Sequence, residues 1–340
     1  MPVTMREVAQ RAGVSVKTVS NVVNGYPYIR EATRSRVIEA IDALGYQMNI
    51  SARSLRASRT GIIALAVPEL RMPYFAELSE AVIRIAREND LTVLIEQTGA
   101  ERERELALLS SARGHLVDGV IFSPLALGAD DADRLNVPFP MVLLGERIFR
   151  GPVDHVSIDN VAASREVVRH LISNGRRRIA LIGMISHEGV GTAALRFQGY
   201  LEALAEAGLA PSPELVLPAG PWNRSAGAEA TNRLLDSGVE FDAVFGLNDT
   251  LALGALRALL SRGIRVPNDV AVAGFDDIEE TRFSTPTLTT VDPGRDQIAR
   301  TAVELLVSRM KGQNDEVRPR EIFADYALHP RQSTGEPLTG

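Results

Sequence analysis

At 340 residues, with 45% hydrophobic and 24% charged side chains, the chain has room for two or three domains and a large core, which excludes a disordered or fibrous polymer. Cysteine is absent, so disulfides, zinc-thiolate sites and cysteine nucleophiles are excluded, and five scattered histidines argue against any metal site. The net charge of −6 is uneven: residues 1–60 carry nine Lys and Arg against four acidic side chains, which leaves the rest strongly acidic and suggests a small polyanion-binding head on a larger body. No run of about 18 apolar residues occurs, and "MPVTMREVAQ" lacks a basic segment followed by an apolar one, so a cytoplasmic protein without membrane contact is expected.

In chain order, Thr4-x-x-Glu7 is a capping box followed by Val8, Ala9 and Ala12 at helical spacing, which predicts a first helix over about 5–12. Gly13 ends it, Val14 packs inward, and Ser15 is a suitable N-cap for a second helix over about 16–24 with Val19, Val22 and Val23 on one face. Two short helices joined by a Gly-containing turn are a helix-turn-helix. A third helix over about 31–45, with a stripe of Val37, Ile38, Ile41 and Leu44, closes a three-helix core too small for a pocket. The valines of "GVSVKTVSNVVN" thus hold the second helix in place, and its short polar side chains are left facing outward. In a helix laid in the major groove, the N-terminal residues meet base edges while hydroxyls and amides meet phosphates. Lys17 can donate to guanine O6 or N7, Asn21 can pair with adenine, and Val16 can touch a thymine methyl. A merely solvated face is the plain alternative; capping, turn and polarity together favour the DNA reader.

"VTMREVAQRAGVSVKTVSNVVNG", followed by "ATRSRVIEAIDALGY", resembles the DNA-binding head of the lactose-repressor (LacI/GalR) family of bacterial transcription regulators, and the resemblance continues through the chain. It implies that Val16, Lys17 and Asn21 read bases and that Thr4, Ser15, Thr18, Ser20, Asn24, Tyr28 and Thr33 touch the backbone. Asn21 stands where the family commonly has Arg or His, and Arg30 replaces the usual small N-cap of the third helix, which implies an extra phosphate contact.

The next stretch, "MNISARSLRASRTG", is rich in Ser and Arg and reads as a linker over residues 48–60 after a head of residues 1–47. The resemblance implies that Asn49 to Arg56 folds into a short helix only on operator DNA, with the Ala52-Arg53-Ser54-Leu55 run placing Leu55 as a wedge in the minor groove. A flexible tether is the alternative.

From residue 61 to 340, apolar runs alternate with helical stretches: "GIIALAVP", "YFAELSEAVIRIAREN", "LTVLIEQT", "RERELALLSSARG", "VDGVIFSP" and "PMVLLGE", then a second series that includes "RRIALIGM", "FQGYLEALAEAG", "AVFGLND" and "VAVAGFDD". Strands separated by helices imply parallel α/β sheets, and two series imply two lobes. The expected fold class is α/β, with an N-terminal three-helix helix-turn-helix domain and a two-lobed, periplasmic-binding-protein-like body. One lobe is expected over about 61–160 and 292–322, the other over about 161–291 and 323–340.

Ligands of such sheets bind beyond the carboxyl ends of the strands. That rule selects Tyr74, Phe75, Gln97, Ser123, Asn248, Asp249 and Asp276, with Arg196 opening a helix and Trp222, the only tryptophan, in the loop "GPWNRS". An aromatic face beside Arg, Asn and Asp suits a sugar or another small polyhydroxylated ligand. The resemblance implies an effector pocket at Arg196, Trp222, Asn248 and Asp276, with Tyr74 at an aromatic position used by some members; Gly145 stands where many carry Asp, with Glu146 beside it.

The expectation is a ligand-responsive regulator without catalytic residues or cofactor, a repressor by the resemblance, that binds a palindromic operator as a homodimer. No leucine heptads follow "LHPRQST", so a dimer is expected and not a tetramer. An enzyme body with an appended basic head is the rival reading, its dinucleotide signal being "GVGTAA" at 189–194, five residues beyond its strand.

Overall fold

The fold is that of a computed structural model, which describes residues 3–23, 26–46, 59–110, 116–185, 191–312 and 318–335. The chain divides into two compact units, Met1–Thr60 and Gly61–Gly340.

The first unit holds α1 (Met5–Ala12), α2 (Val16–Val23) and α3 (Glu31–Leu44). The capping box at its start is formed: the Thr4 amide donates to Glu7 Oε2 at 2.7 Å and the Glu7 amide donates to Thr4 Oγ1 at 3.4 Å. Gly13 adopts φ +63°, which lets α1 stop and the chain turn into α2. Val8, Ala9, Ala12, Val19, Val22, Val37 and Ala40 are buried together. Ile38, expected on the core stripe, is instead exposed, because spacings of three and four from Val37 lead to Ala40 and Ile41.

The second unit begins with β1 (Ile62–Val67), α4 (Pro73–Glu88), β2 (Thr92–Gln97), α5 (Arg102–Ser110), β3 (Gly119–Phe122), β4 (Met141–Leu144) and β5 (Asp154–Ile158). It continues with α6 (Asn160–Ser173), β6 (Ile179–Met184), α7 (Thr192–Glu206), β7 (Val216–Pro218), α8 (Arg224–Ser237), β8 (Ala243–Gly246), α9 (Asp249–Ser261), β9 (Ala271–Ala273) and α10 (Glu280–Phe283). It closes with β10 (Thr290–Asp292), α11 (Arg295–Met310), β11 (Glu321–Ala324) and β12 (Ala327–His329).

Two parallel sheets result, ordered β11-β5-β4-β3-β1-β2 and β7-β6-β8-β9. Strands β1, β3, β4, β8 and β9 are buried almost throughout, which is why they read as unbroken apolar runs; β3 and β4 pack against α11, which comes much later in the chain. In the second lobe, α8 and α9 meet at Gly227 and Gly254, where a Cβ on either would overlap the backbone of the other helix.

The chain crosses between the lobes after β5, after β10 and after β11. β10 and β12 pair antiparallel, Val291 opposite Leu328, and form a two-stranded ribbon at the crossing. β11 hydrogen-bonds to β5 over all four of its residues, so the last crossing falls after Ala324 and not at the expected boundary of 322. The following segment joins the second lobe, where Ser333 Oγ donates to Val272 O at 2.6 Å.

Candidate functional site

In the head, Ser15 caps α2 by accepting from the Thr18 amide at 3.1 Å, and its hydroxyl lies 2.9 Å from that of Thr18. Val16 and Lys17 in the first turn are exposed, and Asn21, one turn beyond Lys17, is half-buried on the same side. Thr18 and Ser20 are half-buried on the same helix. Tyr28 is 84% exposed and packs edge-on against Tyr26 with ring centroids 5.6 Å apart. Arg30 precedes α3 without making a side-chain cap, which leaves its guanidinium outward, and Thr33 lies in the first turn of that helix. Asn24, Ala52 and Leu55 lie outside the described residues.

In the body, a cavity of about 110 Å³, open on one side to solvent, lies between the lobes. Seven of the nine side chains expected there line it: Tyr74, Phe75, Ser123, Arg196, Trp222, Asn248 and Asp276. Asp249 is buried outside the lining, and Gln97 does not line it either. It ends the outermost strand of the first sheet, is exposed, and accepts from the Leu70 amide at 3.2 Å, so being at a strand terminus does not bring it to the cleft. Glu146, Thr192, Ser157, Leu125 and Ile298 also line the cavity without having been selected. The strand rule could have found Glu146, which follows "PMVLL" after a single glycine, Gly145.

Arg196 organises the second-lobe wall. It is 6% exposed, donates from Nε to Asn160 Oδ1 at 2.8 Å and from Nη1 to the Leu247 carbonyl, and stacks over Phe275 with Cζ 3.5 Å from the ring centroid. Its Nη2 lies 3.6 Å from Asp276 Oδ1. Trp222, held by donation from Nε1 to Gly183 O at 2.9 Å, sits 5.8 Å from the same guanidinium. Asn248 is the N-cap of α9, accepting from the Leu251 amide at 2.9 Å, which fixes the direction of its amide.

Asp276 and Asp277 part company. Asp277 turns away from the cavity to Arg331 at 2.5 Å and Arg282 at 2.7 Å, whereas Asp276 faces Arg196. Both have positive φ, 117° and 47°, a strained backbone for non-glycine residues and a feature that clusters at ligand sites. Burial raises the Asp276 carboxyl to about 6, against the opposing pull of Arg196 and Arg295. The neighbouring Asp249 is fully buried and also pushed well up, by burial and by Asp276. It accepts from Thr290 Oγ1 at 2.6 Å and the Ile278 amide at 3.0 Å, and so anchors the loop that presents Asp276.

Arg295 ties that loop to the first lobe. Its guanidinium donates to the carbonyls of Asp276 and Asp277 and pairs with Glu77 at 2.7 Å, while Glu77 accepts from the Glu279 amide at 3.0 Å. Across the cleft, Thr192 Oγ1 donates to Glu146 Oε2 at 2.7 Å.

A helix-turn-helix head and a two-lobed body, whose largely apolar cleft carries a few charged and amide side chains, define a DNA-binding regulator with a ligand-binding core. Residues 4–49 match the model of bacterial regulatory proteins of the lacI family, and residues 168–334 match the periplasmic binding protein-like domain. Catabolite control protein A of Priestia megaterium is 31% identical over 98% of this chain and all of its own length. Among solved structures, the CelR–cellobiose complex is 33% identical over 97% of this chain and 99% of its own, with a TM-score of 0.70. The lac repressor dimer bound to operator and the anti-inducer ONPF is 27% identical over 98% and 99%, with a TM-score of 0.85. The chain belongs to the lacI family and is a transcriptional regulator.

Proposed function

We propose that the protein is a repressor that binds a roughly palindromic operator as a homodimer in the cytoplasm and is controlled by a sugar or a similar small polar metabolite. The observation that carries this reading is the cleft, where an indole face, a fixed guanidinium and a buried carboxylate meet around one cavity. That set stacks on one side of a sugar ring and binds its hydroxyls on the other. The CelR structure is a complex with cellobiose, which supports the ligand class.

On DNA, Val16, Lys17 and Asn21 would read bases, while Thr4, Ser15, Thr18, Ser20, Tyr28, Arg30 and Thr33 would position the head, joined by Asn24 and by Ala52 and Leu55 of the hinge at 48–60. Exposed apolar side chains support the dimer. Leu94, Ile95 and Leu116 are 49%, 39% and 63% exposed at the β2 edge of the first lobe, and Phe283 is 78% exposed on the second. The lac repressor structure is of a dimer on operator, which supports the same arrangement here. Effector bound between the lobes would change how the two first lobes meet, and by linkage operator DNA must change effector affinity by the same factor. The dinucleotide-enzyme reading loses support at α7, whose first residue, Thr192, already donates to the Glu146 carboxylate where a pyrophosphate would have to bind.

The test is selection of the full-length protein against a randomised duplex pool at near-physiological salt. Enrichment of one inverted repeat is the expected result. Retention without sequence preference, with or without pooled metabolites, would overturn the reading.

A further inference from the structure

Glu146 is the one cleft carboxylate that the sugar-binding geometry above leaves without a task. It follows β4, is half-buried, and points into the cavity, where its bonded partner is the Thr192 hydroxyl of the opposite lobe at 2.7 Å. No cation pairs with it among the described residues. Arg196 is the only cation among the described residues that line the cavity, and its charge is already answered by Asp276 at 3.6 Å. Among the described residues, the cavity lining therefore sets two carboxylates against one guanidinium. Burial, with the negative potential of Glu146 and Asp276, also pushes the Tyr74 hydroxyl above its usual range. The N-terminus of α7 offsets part of this charge but adds no neutralising side chain.

We propose that Glu146 is a specificity-determining residue that makes the cleft select uncharged polyhydroxylated ligands and reject their phosphorylated or carboxylated counterparts. The proposal rests on the sugar-effector reading and adds to it the charge class of the effector. A phosphate entering this space would meet an unpaired carboxylate in a medium of reduced dielectric, where repulsion is stronger than in water. Uncharged hydroxyls would instead replace the Thr192 hydroxyl as donors to Glu146, a charge-assisted bond.

The experiment is isothermal titration of the full-length protein with a panel of neutral saccharides, glucose and cellobiose among them. Each is matched with an anionic counterpart such as glucose 6-phosphate or cellobionate. The expected result is that a neutral member binds about tenfold or more tightly than its anionic partner, the order expected of one partly screened charge. Glu146→Gln should collapse that ratio, while Glu146→Asp and Thr192→Val, which keep the charge, should preserve it whatever they do to affinity. In the wild type, added salt should shrink the ratio, a readout that needs no variant. An anionic member that binds the wild type as well as its neutral partner would overturn the proposal, as would a ratio that Glu146→Gln leaves unchanged. Absence of binding by every saccharide would overturn the sugar reading and the proposal with it, a result distinguishable from a lost or inverted ratio.

Discussion

Replacing Asp276 by Asn separates the stability of the cleft from its function. The carboxyl is buried, and burial outweighs the attraction of Arg196 and Arg295, so its folded value of about 6 lies above the ordinary 3.8. A raised carboxyl means that the folded protein retains a proton which the unfolded chain has already released. The contribution of Asp276 to stability is therefore fully present below pH 3.8, declines through the interval up to pH 6, and stays low at pH 7. That gap corresponds to about 3 kcal/mol, and because Asp249 titrates beside it, we expect about 1–3 kcal/mol to belong to this side chain. Asn is close in shape to the protonated acid and tolerates positive φ better than most residues. Asp276→Asn should therefore raise stability at pH 7 by about 1–3 kcal/mol, with the gain vanishing as pH falls towards 4. It should also weaken effector binding by about 10–100-fold through loss of a charge-assisted hydrogen bond. Urea denaturation followed by fluorescence of Trp222, the single tryptophan and a cleft residue, reads the first effect. A variant less stable than wild type at pH 7 would show that the pair with Arg196 stabilises the fold outright and would refute the reasoning.

Glu105 accepts from the amides of Leu125, Ala126 and Leu127 at 2.8 to 3.1 Å and holds the loop that carries one wall of the cavity. Glu105→Ala should cost about 3 kcal/mol, measured by thermal unfolding. Thr4→Ala removes the α1 capping box and should cost the head about 1 kcal/mol, seen in its helical circular dichroism. Leu94→Glu puts a charge on the apolar edge of the first lobe, and sedimentation should show a shift from dimer to monomer. Leu55→Ala should weaken operator binding more than non-specific binding in titrations on both duplexes; equal loss would rule out the wedge.

The head was legible because its signals are local. Thr4 and Glu7, Gly13 and Ser15 each satisfy or redirect backbone groups within one turn, so residue type and spacing suffice. Ile38 misled because it is a large apolar side chain beside Val37, although it is Ala40 and Ile41 that lie one turn along the helix from Val37. In the body, the positions beyond the inner strands, Asp249 apart, line the cavity between the lobes and Gln97 does not, because chain order does not reveal which strand becomes the edge. Thr192 was out of reach for a related reason: its role depends on a contact between lobes, with a residue 46 positions away.

These successes and failures have one physical origin. Neighbours along the chain constrain dihedral angles and caps, whereas cleft membership depends on strand order and lobe closure. Asp276 shows how the two levels meet. The motif "GFDD" marked it, adjacent residues at a strand end are expected to point in opposite directions, and the fold supplies the partners that tell the two aspartates apart. Asp277 is neutralised by Arg282 and Arg331 within the second lobe, while Asp276 is left strained, desolvated and facing the cavity. A carboxyl whose ionisation the fold does not fully compensate gains most from a ligand that donates to it. The local conflict in φ and burial is therefore itself an argument that effector binding centres on Asp276, with Arg196 as its fixed counter-charge.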